Sequence, residues 1–465
     1  MHPEFQNPLF LKLVCEGLQK SGYTKIPDGL QGITSIIEFF ISSVNLRLSR
    51  PERLEYPPSI NVVKKAIDRL VVAKIDKKLR YIPYELAFTL VENVLREYSS
   101  KRGLLDELIS EGVLSKNLFW KSDRSYEEGV YLAYEKFEDH LTATFLIDRV
   151  LKPMEYSPVG LIQRFAVYLL SLRLKLQKRT RLDYAFSANG ELFHYVQDER
   201  ACRLNKGLME AFSIQLPEKS GKELYEYVPH VKEKYPIVES FVQSLLWRNI
   251  EATPEKLREY INQFVFSYRG TYDLFWETVL SAAAIPNHYF NAYSLHRHLM
   301  SFSLADRDKS WTVYLKEKLS DNSAVMRLID WAWNENDKGY ISGESAKLAA
   351  IALAWFHTSA NRGLRDSATK ALVCLLENRI DVLIDVLKEF RNVNDPYVYE
   401  RLFAVAYGCA TRTKQKDALK HLSQYIYETI FNTDGEVYPH ILLRDYARGT
   451  IEYAFSLGSL ILQLI

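Results

Sequence analysis

The sequence of 465 residues lacks the motifs that mark most nucleotide and metal enzymes. A phosphate loop needs Gly-x-x-x-x-Gly-Lys-Ser/Thr, glycines to bring backbone amides onto the phosphates and a hydroxyl for the metal. The one Gly-Lys pair ahead of an acidic residue, Gly221-Lys222-Glu223, has neither the upstream glycine nor the hydroxyl. Nucleotide hydrolysis by this chain alone is therefore not expected. A Gly-rich dinucleotide fingerprint and a His-Glu-x-x-His zinc motif are missing too. Cysteine is scarce: Cys15, Cys202, Cys374 and Cys409 are far apart and form no Cys-x-x-Cys pair. That spacing argues against a zinc ribbon and a disulfide framework and suits a reduced, cytoplasmic setting. No basic-then-apolar leader opens the chain, and no run approaches the roughly 20 uncharged residues that span a bilayer, so no membrane partner is expected. Neither sign of charge is in excess. Sixty basic and 58 acidic residues are interspersed for a net charge of +2, which makes no case for a nucleic-acid partner beyond a local patch.

What the sequence does contain is helical periodicity almost throughout. Hydrophobic residues are 47% of the chain, and 30 Tyr with 23 Phe point to large helical interfaces packed by aromatic rings. The length exceeds one ordinary core, so two or three domains are expected. The first runs over 1–55: Pro8 lies just inside a helix start, and an amphipathic helix over 33–48 follows the Pro27-Asp28-Gly29 turn. Pro51 and Tyr56-Pro57-Pro58 mark a linker. The second, 56–150, has helices over 60–75, 83–98 and 104–113, the last closed at Gly112, then strands over 118–120 and 129–134 around a charged turn at 121–128. Three helices and a hairpin are the order of a winged helix. Its third helix carries Asp106, Glu107 and Glu111 with no basic residue between them, which opposes docking on phosphates. The third region, 151–465, is helical. Leu364 to Leu372, Tyr399 to Ala406 and Leu443 to Gly449 each place an Arg three residues before an Ala, at Arg-to-Arg spacings of roughly 40 residues, the period of HEAT-type helix pairs. The expected fold is mainly α: a helical lid segment, a winged helix with a short hairpin, and an α-helical repeat solenoid.

Few constellations suggest chemistry. Asn7-Pro8-Leu9-Phe10-Leu11 could present a flat, rigid proline ring to a purine, although by spacing alone Pro8 is first a helix start. His296 and His298 lie two apart in a helical context, which turns them to different faces and disfavours a metal site. Trp355 to Arg362 brings hydroxyls near His357 without an orienting carboxylate, and reads as a turn between packed helices rather than a catalytic pair.

Several segments together resemble the STAND class of signal-transducing NTPases, more narrowly the bacterial antiviral (Avs-type) STAND proteins with NACHT-like cores. They are Phe5 to Leu18; Glu107 to Leu114 with Tyr134 to Ala143; Asn205 to Phe212; Gln215 to Glu218; Leu353 to Phe356; Leu364 to Leu372; and Leu443 to Gly449. The resemblance implies the lid, winged helix and helical sensor of such a protein, with the effector and the ATPase core lying outside this chain. By position Pro8, beside Asn7, matches the lid proline that contacts the nucleotide base. Tyr134 falls near the winged-helix position where many relatives carry a nucleotide-sensing His, a departure in this sequence, and His140 is a helix residue one turn further on. The implied function is recognition of a phage protein, terminase- or portal-like, by the helical repeats, followed by homo-oligomerisation in the full-length parent. ATP or ADP would belong to that parent, and no cofactor or catalytic residue is expected for this chain alone. The uncapped apolar stretch at 457–465 and the lid at the start give the expectation that both ends continue into a larger protein. The alternatives are a helical scaffold with a winged-helix transcriptional role, favoured by Lys121 and Arg124 on the wing, and a hydrolase, for which no nucleophile, base and orienter can be named.

If the winged helix is structural, replacing Asp106, Glu107 and Glu111 by their amides should leave partner binding intact. Binding lost without unfolding, followed by co-elution and circular dichroism, would contradict that role.

Overall fold

The computed structural model describes residues 11, 15, 17–19, 33–121, 125–151, 178–247, 254–320, 322–334, 338–432 and 438–458. They are mainly helical with one small antiparallel sheet of three strands. They fall within two compact units, His2–Asn249 with Thr253–Thr271, and Tyr272–Ile465. No described helix is long and apolar enough to cross a membrane.

In the first unit, α1 (Ile33–Leu48) buries Ile33, Ile37, Phe40, Ile41, Val44 and Leu48, the three- and four-residue spacing of one helical face. Helix α2 (Val62–Asp76) begins at Asn61, whose side chain accepts from the Lys64 N–H at 3.1 Å. Strand β1 (Ile82–Pro83) leads directly into α3 (Tyr84–Arg96), which is followed by α4 (Leu104–Ser110). Buried Glu92 of α3 caps α4: its carboxylate accepts from the Gly103 N–H at 3.1 Å and the Leu105 N–H at 3.2 Å. A negative charge at these otherwise unpaired donors is doubly favourable. Gly112, at φ 72°, takes the left-handed conformation that ends the helix.

Strands β2 (Leu114–Trp120) and β3 (Tyr126–Leu132) form a hairpin with Leu114 opposite Leu132 and Trp120 opposite Tyr126. Strand β1 pairs on the other side of β3, Ile82 opposite Val130. The hairpin thus starts four residues earlier than the sequence pattern suggests, and the third helix stops at Ser110 rather than 113. Lys116 and Asn117 face solvent, so this stretch lacks the apolar alternation that announces a strand. Strand β1, two residues ending in a proline, has no pattern to detect. Gly129 is required sterically: Tyr81 stacks on Phe119 at 4.0 Å across its position, and a Cβ there would collide with both rings.

The five helices up to α5 (Glu135–Leu151) share one hydrophobic core with the sheet, from Ile33 to Leu141, joined by Ile214 and Trp247. This core runs across the proline-rich stretch at 51–58. Asn45, 3% exposed, fastens that stretch: its Oδ1 accepts from the Tyr56 hydroxyl at 3.1 Å and the Val63 N–H at 3.3 Å, and its Nδ2 donates to the Pro58 carbonyl at 3.1 Å. The acidic face of the third helix is used in the same way. Glu111, its side chain 7% exposed, is paired with Arg47 and with Arg53 at 3.0 Å, and Glu107 with Arg53 at 2.7 Å.

Downstream come α6 (Phe193–Val196), α7 (Glu199–Leu204), α8 (Lys206–Ser220) and α9 (Tyr235–Ser244). Helix α8 is buried from Leu208 to Leu216 on every side because it lies between α5 and α9.

In the second unit, α10 (Ala292–Met300) packs on α12 (Gly343–Trp355). Helices α11 (Ala324–Trp333), α13 (Arg362–Leu376), α15 (Pro396–Ala410) and α17 (Ile441–Ser456) form one layer, each packed on the next. Helices α12, α14 (Ile380–Glu389) and α16 (Lys416–Ile426) form a second layer in the same manner. Arg401 of α15 reaches back to Asp366 of α13 at 3.0 Å and donates to Thr369 at 2.8 Å. The corresponding Asp445 of α17 pairs within its own helix, with Arg448 at 3.2 Å.

Glu111→Ala leaves two guanidiniums without their buried partner and should destabilise the chain by about 1–3 kcal/mol. The urea midpoint is the readout, and Lys64→Ala, which breaks only an exposed pair with Asp68, should move it little.

Candidate functional site

The seam between α5 and α8 organises the surroundings of a cleft of about 620 Å³. Four polar contacts order the seam. Lys136 meets buried Glu210 at 3.2 Å, and Lys219 meets Asp148 at 2.6 Å. Gln215, 2% exposed, donates to the His140 carbonyl at 2.8 Å and accepts from the Thr144 hydroxyl at 3.0 Å. The partners advance together along both helices, so the two run in the same direction.

The cleft opens where this seam begins. Lys74, Ile75, Lys78 and Leu79 contribute from the end of α2, and Glu135, Glu138, Asp139 and Thr142 from the first turns of α5. His194 and Tyr195 of α6 and the α7–α8 junction, Arg203 to Leu208, complete it. Asn205 ends α7 and precedes α8, and its amide donates back to the Ala201 carbonyl at 2.8 Å rather than capping α8. At Gly207 α8 lies directly against α5: a Cβ there would collide with Asp139 Oδ2.

Most charges in the cleft are satisfied locally. Lys74 is paired with Glu138, Arg203 with Glu199 at 2.6 Å, and Lys206 with Glu239 at 2.9 Å. Burial lowers the Lys74 pKa, while Asp139 and Glu135 oppose the shift. Asp139 is the most perturbed group. Burial, then repulsion from Glu135, pushes its carboxyl up to about 6, against the pull of Lys74. Lys78 is unusual in another way. The Lys78 N–H bonds to the Ile75 carbonyl at 3.1 Å and the Leu79 N–H to the Lys74 carbonyl at 2.9 Å, a helix end that favours glycine. Lysine occupies it at φ 51°.

Of the residues proposed from sequence for nucleotide contact, Asn7 and Pro8 lie outside the described residues. Tyr134 sits at the entrance to α5, its carbonyl accepting from the Phe137 N–H at 3.0 Å. Its ring is 9% exposed, meets Phe137 edge-on at 4.9 Å and belongs to the shared core; its neighbour Glu135 lines the cleft. His140 is buried against α1, Nε2 at 3.0 Å from Thr34 Oγ1, and burial lowers its imidazole to about 4. In the second unit, His296 Nδ1 accepts from Trp355 Nε1 at 3.1 Å, whereas the His298 ring lies tilted against Phe302 at 4.5 Å and Trp276 at 4.9 Å, so the two imidazoles have different surroundings. His357 lies in the turn between α12 and α13; burial with Arg401 and Arg365 nearby drives its pKa down to about 3.

The cleft is not legible in the sequence. Tyr134 to Ala143 and Asn205 to Phe212 stood out separately, but their meeting spans about 70 residues of chain and has no local periodicity. Compared with known proteins, no family model matches the chain, and no curated protein or solved structure is detectably similar to it.

Because the folded state raises the Asp139 pKa from an ordinary 3.8 to about 6, this group favours folding most below pH 4, and the contribution is lost as pH rises through 6. Asp139→Asn should therefore raise stability at pH 7.5 by on the order of 1–2 kcal/mol, discounted for partial exposure, and change it little at pH 4. Urea unfolding at the two pH values reads both. Gly207→Ala should destabilise the parent and be neutral or stabilising in an Asp139→Ala background, where the helix propensity of alanine is left unopposed.

Proposed function

We propose that this chain is the regulatory and sensor portion of a STAND-type nucleotide switch in anti-phage defence, binding a phage protein through its helical repeats. In this reading the three helices and sheet of the first unit are a structural winged helix. The layered helices of the second unit are HEAT-like repeats. The observation that carries the reading is the ion-pair cluster of Glu107 and Glu111 with Arg47 and Arg53. The helix that would read DNA spends Glu107 and Glu111 on Arg47 in the last turn of α1 and on Arg53 just after it, so the lid-side helix and the winged helix act as one body. Support for the repeats comes from the Arg401–Asp366 bridge between successive helices of one layer.

The transcriptional alternative has less support. On the hairpin, Lys116 is paired with Glu128 at 3.5 Å and Lys121 with Glu127 at 2.6 Å, which neutralises the wing; Arg124 lies outside the described residues. The proposed mechanism is a population shift: a ligand that binds the sensor only in the open state drives opening by its differential affinity. Nucleotide, ATP or ADP, and homo-oligomerisation belong to the full-length parent. The setting is the cytoplasm.

The purified chain should co-elute stoichiometrically with a phage large terminase or portal protein and show no ATP binding by calorimetry. Tight ATP binding by the chain alone, or retention of duplex DNA while both phage proteins elute free, would overturn the proposal.

A further inference from the structure

The cleft at the α5–α8 junction has the size of a small-molecule site, about 620 Å³, within the range of natural ligand pockets. Its charges, once the internal pairs are set aside, leave a simple remainder. Lys74, Arg203 and Lys206 are matched by Glu138, Glu199 and Glu239. The carboxylates of Glu135 and Asp139, from the first turns of α5, and the ammonium of Lys78, from the end of α2, make no hydrogen bond or ion pair to any described residue; Glu135 and Lys78 are exposed, and Asp139 feels the pull of Lys74 and Lys136 at longer range.

These groups are not incidental. Asp139 is packed against the backbone at Gly207, a position that admits no side chain, and so is held in the cleft without a donor. Lys78 occupies a left-handed helix end at φ 51° where glycine would be unstrained. A purely anionic ligand would face Glu135 and Asp139, and a purely cationic one would face Lys78. All three groups find a partner in a molecule that carries both charges.

We propose that this cleft binds a free α-amino acid, its ammonium on Asp139 with Glu135 and its carboxylate on Lys78. The side chain has an apolar resting place beside Leu79, Leu208 and Leu204, the last 76% exposed at the rim. Ammonium binding needs the carboxylate form of Asp139. That group is faced by Glu135 and Lys136 on its own helix, Lys74 of α2 and Glu210 of α8. Its pKa of about 6 makes affinity fall as pH drops from 7.5 to 5. The site is independent of the phage-protein reading and stands or falls separately.

Calorimetry on the full chain at pH 7.5 with L-leucine, N-acetyl-L-leucine and L-leucinamide tests the proposal. Leucine should bind, and each capped analogue should bind at least about tenfold more weakly because one charged contact is lost. Undiminished binding of leucinamide reduces the site to a cation site, undiminished binding of acetyl-leucine to an anion site, and either overturns the assignment. So does the absence of binding by leucine, phenylalanine, lysine and glutamate, each at about 10 mM. Two variants test the contacts without threatening the fold, Asp139→Asn by isosterism and Lys78→Gly by relieving the backbone. Each should lower leucine affinity at least about tenfold; unchanged affinity in either refutes its contact.

Discussion

The parallel packing of α5 on α8 is the constraint on which the first unit depends. Helix α5 has two allegiances. Phe137 and Leu141 anchor it in the core shared by α1 to α4 and the sheet, while Lys136, Thr144 and Asp148 address α8. Polar groups at a buried helix interface are tolerated only when they are satisfied, and Gln215 shows how this is done, with both ends of its amide engaged across the seam. The same seam creates the cleft. Because Gly207 in the first turn of α8 lies against Asp139, the helices close tightly at that point, and the end of α2, the first turns of α5 and the α7–α8 junction line one cleft.

A second theme is how this protein spends its charge. The chain is nearly neutral overall, and its carboxylates do positional work at interfaces. Glu92 caps α4 from α3, Glu111 gathers Arg47 and Arg53, and Glu210 holds Lys136. In the second unit buried Arg307 performs a comparable task. It is 1% exposed, donates to the Leu299 and Phe302 carbonyls at 3.2 Å each, and approaches Asp395 at 3.7 Å beneath the Trp355 ring. A delocalised guanidinium with five donors can join three chain segments where a point-charge ammonium could not. Asp139, Glu135 and Lys78 differ from these carboxylates and guanidiniums in lining a cleft without an ion pair to any described residue.

The sequence made much of the architecture legible. Helix 33–48 coincides with the observed Ile33–Leu48, because its apolar residues recur at helical spacing and face one core. The helical dominance of the remainder follows from the same signal, and Gly112 marks a real helix end through its left-handed backbone. The start of the hairpin has no strand signature because Lys116, Asn117 and Leu118 all face solvent, and β1 has none because two residues carry no period. The 51–58 stretch reads as a linker from its prolines, yet Asn45 fastens it. That fastening joins residues 11 to 18 apart, beyond the reach of any local pattern.

Local sequence, then, determined where helices form, where they stop and which faces are apolar, since those depend on propensity, capping and periodicity within a few residues. Tertiary structure alone decided which charges would be paired. The partners of Glu111 lie 58 and 64 positions earlier, at Arg53 and Arg47, and Asp139 meets Gly207 across 68 residues. Composition fixes how many charges a chain carries, but only the packing of helices distant in sequence determines which of them find a partner and which are left facing a cleft.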